Sequence, residues 1–249
     1  MTRVGVVGAA GSMGSLACAA VEAADGLELV ARVTSSDSLD LLVDTGADVA
    51  VDLTHPGVVM DHVAFYVDHE VDAVVGTSGF TAERLDLVSS RLSRASGDVG
   101  VLVVPNFSVG AVLMMRFAAQ AAAHFESAEI VELHHPAKKD APSGTAVRTA
   151  EMVAEARRSA EAGPMPDATG PAHASARGSR VDGVPVHSVR ARGLVAHQEV
   201  LLGNVGETLT IRHDMPDRAA AMPGLVASVR WVTHHPGLHV GLEPVLGLT

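Results

Sequence analysis

Apolar positions along the chain follow two rhythms. Short, valine-rich, largely apolar runs lie near 3–8, 48–53, 72–76 and 99–104, and a further strand reads over 27–33. Stretches at 12–24, 57–69 and 81–94 instead carry apolar residues every three or four positions. The first rhythm predicts strands buried on both faces, and the second predicts helices with one apolar side. Strands alternating with helices predict right-handed βαβ units around a parallel sheet. This pattern accounts for roughly the first 107 residues.

The order then changes. A long Ala-, Met- and Leu-rich helix is expected over 109–125, a strand over 128–134, and a helix over 143–162 with Ser143 at its N-cap. Residues 163–180, rich in Pro, Gly, Ala and Ser, read as a mobile loop. Three strands follow at 184–190, 196–202 and 208–213, separated by turn residues at Arg192-Gly193 and from Gly203 to Gly206. Their close spacing without helices predicts antiparallel pairing. A helix over 217–234, interrupted by Pro223, comes next. The last fifteen residues are expected to pack back on the first domain. The fold class expected is α/β: a Rossmann-like, doubly wound parallel-sheet domain from 1–107 and 218–249, plus an α+β domain with a mixed or antiparallel sheet from 108–217.

Composition narrows the function. With 249 residues the chain can bury a sizeable core. Aromatics are only 3%, so that core must be Val, Leu, Ala and Met. A formal charge of −11 argues against nucleic-acid or anionic-membrane partners and requires any anionic ligand to find a local cationic pocket. The single cysteine, Cys18, allows no intrachain disulfide and reads as a small buried helix residue. No charged-then-apolar leader opens the sequence and no apolar run reaches membrane-spanning length, so a cytoplasmic protein is expected.

The glycines of Val4-Gly-Val-Val-Gly8-Ala9-Ala10-Gly11-Ser12-Met13-Gly14 lie between the first strand and the first helix. Such a turn lets backbone approach a pyrophosphate, which the free amides and partial positive charge of the helix start attract. A nicotinamide dinucleotide is therefore expected on Gly8, Ala9, Ala10, Gly11, Ser12, Met13 and Gly14. At the end of the second strand, Thr34 is suited to bond a ribose, with Arg32 and Asp37 as flanking candidates. No cation stands in the glycine loop to meet a 2′-phosphate, which tilts the choice toward NADH and leaves NADPH open. Gly76, Thr77 and Ser78 end one strand, and Val104, Pro105, Asn106 and Phe107 end another, where open α/β sheets bind ligands. Both segments read either as strand-ending turns or as contacts to the nicotinamide half.

Two lysines occur in the chain, Lys138 and Lys139, against sixteen arginines. An ammonium can surrender its proton near neutral pH where a guanidinium cannot. The pair lies in Glu132-Leu-His-His-Pro-Ala-Lys-Lys-Asp-Ala-Pro-Ser-Gly-Thr145, a loop dense in proton-transfer and anion-binding groups. This stretch resembles the signature of the dihydrodipicolinate (4-hydroxy-tetrahydrodipicolinate) reductase family. The glycine loop, Asp52-Leu-Thr-His-Pro56, the 76–80 and 105–110 segments and His197-Gln-Glu199 resemble that family in the same order. The resemblance implies NADH- or NADPH-dependent reduction of a cyclic dicarboxylate, 4-hydroxy-tetrahydrodipicolinate, to tetrahydrodipicolinate in lysine and diaminopimelate biosynthesis. It implies catalytic roles for His134 and Lys138, and substrate contacts at His135, Gly144 and Thr145. It also implies a homotetramer built through the second domain's sheet.

The residues agree with what the resemblance implies. Ser143, Gly144 and Thr145 open a helix whose amides suit a carboxylate. Lys138 suits the same charge, and an imidazole or ammonium can supply the proton that must follow hydride. Asp140 reads as orienting Lys138 or closing the loop, and Lys139 as a solvated charge. Adjacent histidines on a strand face opposite ways, so no metal is expected at 134–135 or 234–235. Many family members carry a basic residue where this chain has Ala10 and Ser12, an acid near Thr34-Ser35, and a threonine at Ser78. Alternative readings are another nicotinamide-linked reductase or amino-acid dehydrogenase on a similar frame, and a dinucleotide sensor without turnover. A hinge is expected near 107–108 and 215–218, closing the two domains on bound ligands.

Overall fold

The computed structural model of the chain describes residues 1–95 and 97–248. It divides into two compact units, Met1–Val109 with the segment from Ala219 onward, and Gly110–Arg218.

The first unit alternates β1 (Thr2–Val7), α1 (Ser12–Ala23), β2 (Leu27–Val33), α2 (Asp40–Asp44), β3 (Val49–Asp52), α3 (Val59–Asp68), β4 (Asp72–Val75), α4 (Ala82–Leu92) and β5 (Gly100–Val103). The second unit runs α5 (Val109–Ala122), β6 (Ser127–His134), α6 (Gly144–Ser159), β7 (Ser179–Val181), β8 (Val184–Arg190), β9 (Ala196–Asn204) and β10 (Glu207–Met215). The chain then returns to the first unit with α7 (Met222–Val232) and β11 (Gly237–Val240).

The first sheet is parallel, in the order β11-β5-β4-β3-β1-β2. Every residue of β3 and β5 is buried, as uninterrupted apolar runs require when both faces are covered. Val7, Ala50, Ala73, Val75, Val101 and Val103 pack with Val63, Tyr66 and Val67 of α3 and Val88 of α4. The alternate residues Val4, Val6, Val74 and Leu102, also fully buried, face the other way, where α1 packs beside α7. The doubly wound arrangement expected from the sequence is present. The proline-rich tail does pack back on this unit, and it does so as an edge strand: β11 runs parallel to β5. Pro223 begins a helix instead of interrupting one. It sits in the first turn of α7, where its missing N–H has no intrahelical partner to lose, and the residues before it form a 3-10 turn, Arg218–Ala221.

The second sheet is mixed, in the order β10-β9-β6-β8-β7. Close spacing predicted that the three later strands pair with one another. β9 and β10 do, but β8 does not join β9. Strand β6 lies between them, antiparallel to β9 and parallel to β8. The middle place suits β6 because its inward residues Ala128, Ile130 and Glu132 are fully buried. The expected loop over 163–180 contains a 3-10 turn, Pro171–Arg177, and ends in β7. Arg177 is ion-paired with Glu129 of β6, and Gly178 (φ +70°) lies so close to β8 that a Cβ would stand 2.4 Å from the Val186 carbonyl oxygen. These contacts fix a segment whose composition reads as unstructured. One sheet face is covered by α5 and α6 through Ala118, Ala150 and Val153. On the other face Val131, Leu133, Val189 and Leu201 remain partly exposed.

Among the described residues no helix is long and apolar enough to cross a membrane. Ile130, fully buried at the centre of the second core, sets a test of this packing. Ile130→Ala is expected to cost about 2–5 kcal/mol, read as a lower denaturant midpoint for unfolding.

Candidate active site

In the first unit the turn between β1 and α1 is shaped by close approach. Gly8 has φ +84°, and a Cβ there would stand 2.9 Å from the Leu53 carbonyl oxygen. At Gly14 a Cβ would stand 2.0 Å from the Gly8 carbonyl oxygen, so only glycine lets α1 start against the loop. Gly11 is the N-cap of α1 and no side chain caps the helix, which leaves the helix start to an outside anion. Beside the turn opens a cleft of about 490 Å³ whose lining includes Gly8, Ala10, Gly11, Thr34, Asp37, Leu39, Thr54, His55 and His62. The Asp37 carboxylate accepts hydrogen bonds from the Thr34 amide (2.9 Å) and hydroxyl (2.6 Å). Those bonds hold its pKa below the usual carboxylate range. Arg32, the other flanking candidate, is turned to Glu22 at 2.5 Å.

Beneath this cleft β3 ends in Asp52, which is fully buried. Its Oδ1 accepts from the Thr54 amide (3.0 Å), the Thr54 hydroxyl (2.5 Å) and the Thr77 hydroxyl (3.1 Å). Its Oδ2 accepts from the Tyr66 hydroxyl (2.8 Å) and lies 2.8 Å from His62 Nδ1. Burial pushes the carboxyl pKa up, but the bonds from His62, Thr54 and Tyr66 outweigh it and hold it low. Burial first and the Asp52 charge second push the Tyr66 phenol well above its usual range. Through Thr77, Asp52 ties the cleft to the turn after β4. There Gly76 is crowded by Phe107 and Leu53, which a Cβ would meet at 2.6 and 2.7 Å.

In the second unit Glu132, fully buried near the end of β6, gathers the proton-transfer groups. Its Oε2 is 2.5 Å from His134 Nδ1. Arg190 of β8 donates to both carboxylate oxygens at 2.8 Å, and the Ser143 amide donates to Oε1 at 3.2 Å. Arg190 also donates to the Asp140 carbonyl oxygen at 2.7 Å. The Asp140 side chain in turn lies 2.8 Å from Lys138 Nζ. Burial raises the Glu132 pKa, but hydrogen bonds from Arg190, Ser188 and His134 prevail and hold the carboxyl below its usual value. His134 is shifted down by burial, a shift opposed by Glu132 and reinforced by the charges of Lys138 and Arg190. The hydrogen bond from Lys138 lowers the Asp140 pKa. Ser143 caps α6 as expected, its hydroxyl accepting from the Ala146 amide at 3.2 Å.

The sequence-named residues therefore fall into three groups. Gly8, Ala10, Gly11 and Thr34 line the cleft, with Ala9, Ser12, Met13 and Gly14 continuing the same turn. Gly76, Thr77 and Ser78 follow β4, while Val104, Pro105, Asn106 and Phe107 follow β5; neither segment lines the cleft. The Thr77, Val104 and Phe107 side chains are packed inside the unit. His134, His135, Lys138, Ser143, Gly144 and Thr145 lie along the end of β6, the following loop and the start of α6. Lys139 is exposed. Sequence reading gave no role to Asp52, His62, Tyr66, Arg190 or Glu132. Glu132 left a signal: it takes the inward beat of Ala128, Ile130 and Glu132, where an acid must be paired. Among the described residues no group of three or more His, Cys, Asp and Glu side chains is arranged to hold a metal.

A doubly wound sheet with this glycine turn, in one chain with a unit that gathers imidazole, ammonium and a helix start, defines an oxidoreductase that uses a nicotinamide dinucleotide. Comparison with known proteins narrows the class. Residues 2–107 match the family profile described as dihydrodipicolinate reductase, N-terminus, and residues 110–246 match that described as dihydrodipicolinate reductase, C-terminus. The chain belongs to the dihydrodipicolinate reductase family. It is 59% identical over 246 residues to the 4-hydroxy-tetrahydrodipicolinate reductase of Nocardia farcinica, and 56% identical over 246 residues to that of Mycolicibacterium vanbaalenii, with 99% of each chain covered in both cases. Its fold matches the dipicolinate-bound dihydrodipicolinate reductase of Paenisporosarcina sp. TG-14 with a TM-score of 0.84 and 38% identity, over 98% of this chain and 99% of that one.

The crowding at Gly14 gives a test of the turn. Gly14→Ala is expected to weaken NADH binding by about tenfold or more, measured by fluorescence titration, with far-UV circular dichroism unchanged. Unaltered affinity would mean that the close approach of α1 to Gly8 does not matter to the ligand.

Proposed function

We propose that the chain reduces 4-hydroxy-tetrahydrodipicolinate to tetrahydrodipicolinate in lysine and diaminopimelate biosynthesis, in the cytoplasm, with the proton supplied by His134 or Lys138. The observation that carries this reading is the single hydrogen-bonded cluster that joins His134, the Lys138 loop and the start of α6. The dipicolinate in the Paenisporosarcina relative supports a small cyclic dicarboxylate as substrate.

The glycine turn fits a dinucleotide: there is no room for a Cβ at Gly8 or Gly14, and the helix start is not capped by its own side chains. Gly8 to Gly14 would hold the pyrophosphate, Thr34 a ribose, and the turns at 76–78 and 104–107 the nicotinamide half. Bound in its reduced form, the dinucleotide supplies the hydride. The remaining tasks fall to this chain's side chains and amides. Ser143, Gly144 and Thr145 present the first turn of α6 to one substrate carboxylate. Lys138, whose resident partner Asp140 is more than half exposed, exchanges that partner for a carboxylate of the substrate. His135 lies beside His134 at the strand end, in place to contact the ring. Hydride addition leaves an electron-rich carbon, and His134 or Lys138 delivers the proton that neutralises it.

Asp37 supports NADH as the preferred cofactor. It lines the cleft with its charge retained, and among the described residues neither lysine nor arginine lines that cleft. A ribose hydroxyl can donate to a carboxylate; a 2′-phosphate would be repelled by it. The uncovered face of the second sheet, with Val131, Leu133, Val189 and Leu201, supports a homotetramer assembled through that face.

Two measurements test this reading. With freshly generated cyclic substrate, oxidation of reduced nicotinamide should proceed with a higher kcat/KM for NADH than for NADPH; no oxidation of either would overturn the proposed activity. Lys138→Arg keeps the charge but removes a proton that can be transferred. Turnover should fall by about 10²-fold or more while NADH binding persists.

A further inference from the structure

The arrangement around Glu132 reaches beyond the groups expected to touch substrate. A carboxylate that stays ionised can only accept hydrogen bonds. Glu132 is fully buried, yet it is held by two nitrogens of Arg190, by the Ser143 amide and by the Ser188 hydroxyl, each of which favours the charged form. The nitrogen of His134 that lies 2.5 Å away, Nδ1, must therefore carry the proton of that bond. The His134 side chain is 13% exposed, so little room remains for the ring to turn over. Both protonation states then follow. Neutral His134 has its lone pair on Nε2, and cationic His134 offers an Nε2–H, so the same nitrogen gives and takes the proton.

We propose that Glu132 is the positioning residue for proton transfer: it fixes His134 with its proton on Nδ1 and, through Arg190 and the Asp140 carbonyl, holds the Lys138 loop in register with the start of α6. This assignment rests on the proposed role of His134 in the reduction. The step itself is balanced within the established chemistry. The 4-hydroxyl and a neighbouring ring proton leave as water; hydride then adds to one carbon of the unsaturated ring so formed, the electron pair is left on its neighbour, and a new C–H bond forms there as the Nε2–H bond breaks. Glu132 keeps its charge throughout and steadies the imidazolium that precedes the transfer, as a buried acid does behind other catalytic histidines.

The charged groups facing His134 are Glu132 from its own strand, Arg190 from β8 and Lys138 from the loop; β9 presents Ala196 opposite it. Of these, Glu132 is the one that favours the cation. In Glu132→Gln the amide oxygen is drawn to Arg190, which can only donate, and the amide NH2 turns toward Nδ1. His134 should then titrate at a lower pH than in the wild type, and its neutral form should move its proton to Nε2.

The test is nitrogen NMR of histidine-labelled enzyme across pH, with kinetics and NADH titration on the same samples. Expected are an Nδ1–H tautomer for neutral His134 in the wild type and an Nε2–H tautomer with a lower titration midpoint in E132Q. The kcat of E132Q should be at least about 100-fold lower, with NADH affinity unchanged. An Nε2–H tautomer in the wild type overturns the proposal, and so does E132Q with wild-type titration and kcat. If E132Q does not fold, the wild-type spectrum alone decides. Because the tautomer is read in resting enzyme, a wild type that fails to turn over the dicarboxylate would overturn the proposed function and leave this measurement standing.

Discussion

A carboxylate placed where water cannot reach it is the constraint around which the second unit is built. Ionised Glu132 is tolerable inside β6 only because its oxygens are occupied by Arg190, the Ser143 amide, the Ser188 hydroxyl and His134. Breaking such a pair by removing one partner typically costs about 3–5 kcal/mol, far more than the pair's net worth against an apolar substitute. Its value is therefore one of specification. Four elements that are distant in sequence, β6, β8, the 135–142 loop and α6, have one relative arrangement that satisfies the charge, and that arrangement sets imidazole, ammonium and helix start side by side.

The first unit repeats the device with different parts. Asp52 ends a strand whose other residues are all apolar, and its two oxygens collect five contacts from Thr54, Thr77, Tyr66 and His62. Those residues come from the loop after β3, the turn after β4 and the helix α3. A buried acid at a strand's carboxyl end thus holds the loops that open α/β sheets use for ligands. Both units place polar chemistry on loops and anchor those loops to a fixed charge in the sheet.

Much of this was legible in the sequence, for identifiable reasons. Buried parallel strands read as continuous valine runs, so β1, β3, β4 and β5 were visible, and the glycine turn was visible because Gly8 and Gly14 answer steric demands that no other residue meets. The His134 to Thr145 loop was visible because its chemistry is contiguous. What could not be read was long-range. The insertion of β6 between β8 and β9 reverses the order that hairpin spacing suggests, because pairing follows the inward beat of Ala128, Ile130 and Glu132 and not proximity along the chain. Arg190 lies 58 residues from Glu132, so no local pattern announces their pairing. The 163–180 segment looks featureless in composition because much of what fixes it is long-range: Arg177 pairs with Glu129, Arg157 donates to the Gly163 carbonyl, and Gly178 lies against β8.

The balance of cations bears on how an acidic protein would hold the dicarboxylate of the proposed reaction. With a formal charge of −11 the general field opposes the substrate, so binding depends on cations whose partners can be exchanged. Arg190 is committed to Glu132, Arg212 to Asp214 and Glu199, and Arg157 to the carbonyls of Phe125, Glu126 and Gly163. Each of these guanidinium groups meets two or more acceptors in a fixed fork, a geometry that is hard to displace. Lys138 differs: it is a point charge on a flexible stem, and its partner Asp140 is 57% exposed, so water stabilises that carboxylate when the pair opens. In the proposed site, a substrate carboxylate that also met the start of α6 would offer Lys138 a second set of dipoles that Asp140 need not match. The arginines hold the architecture because they cannot let go, and the lysine suits the proposed exchange because it can.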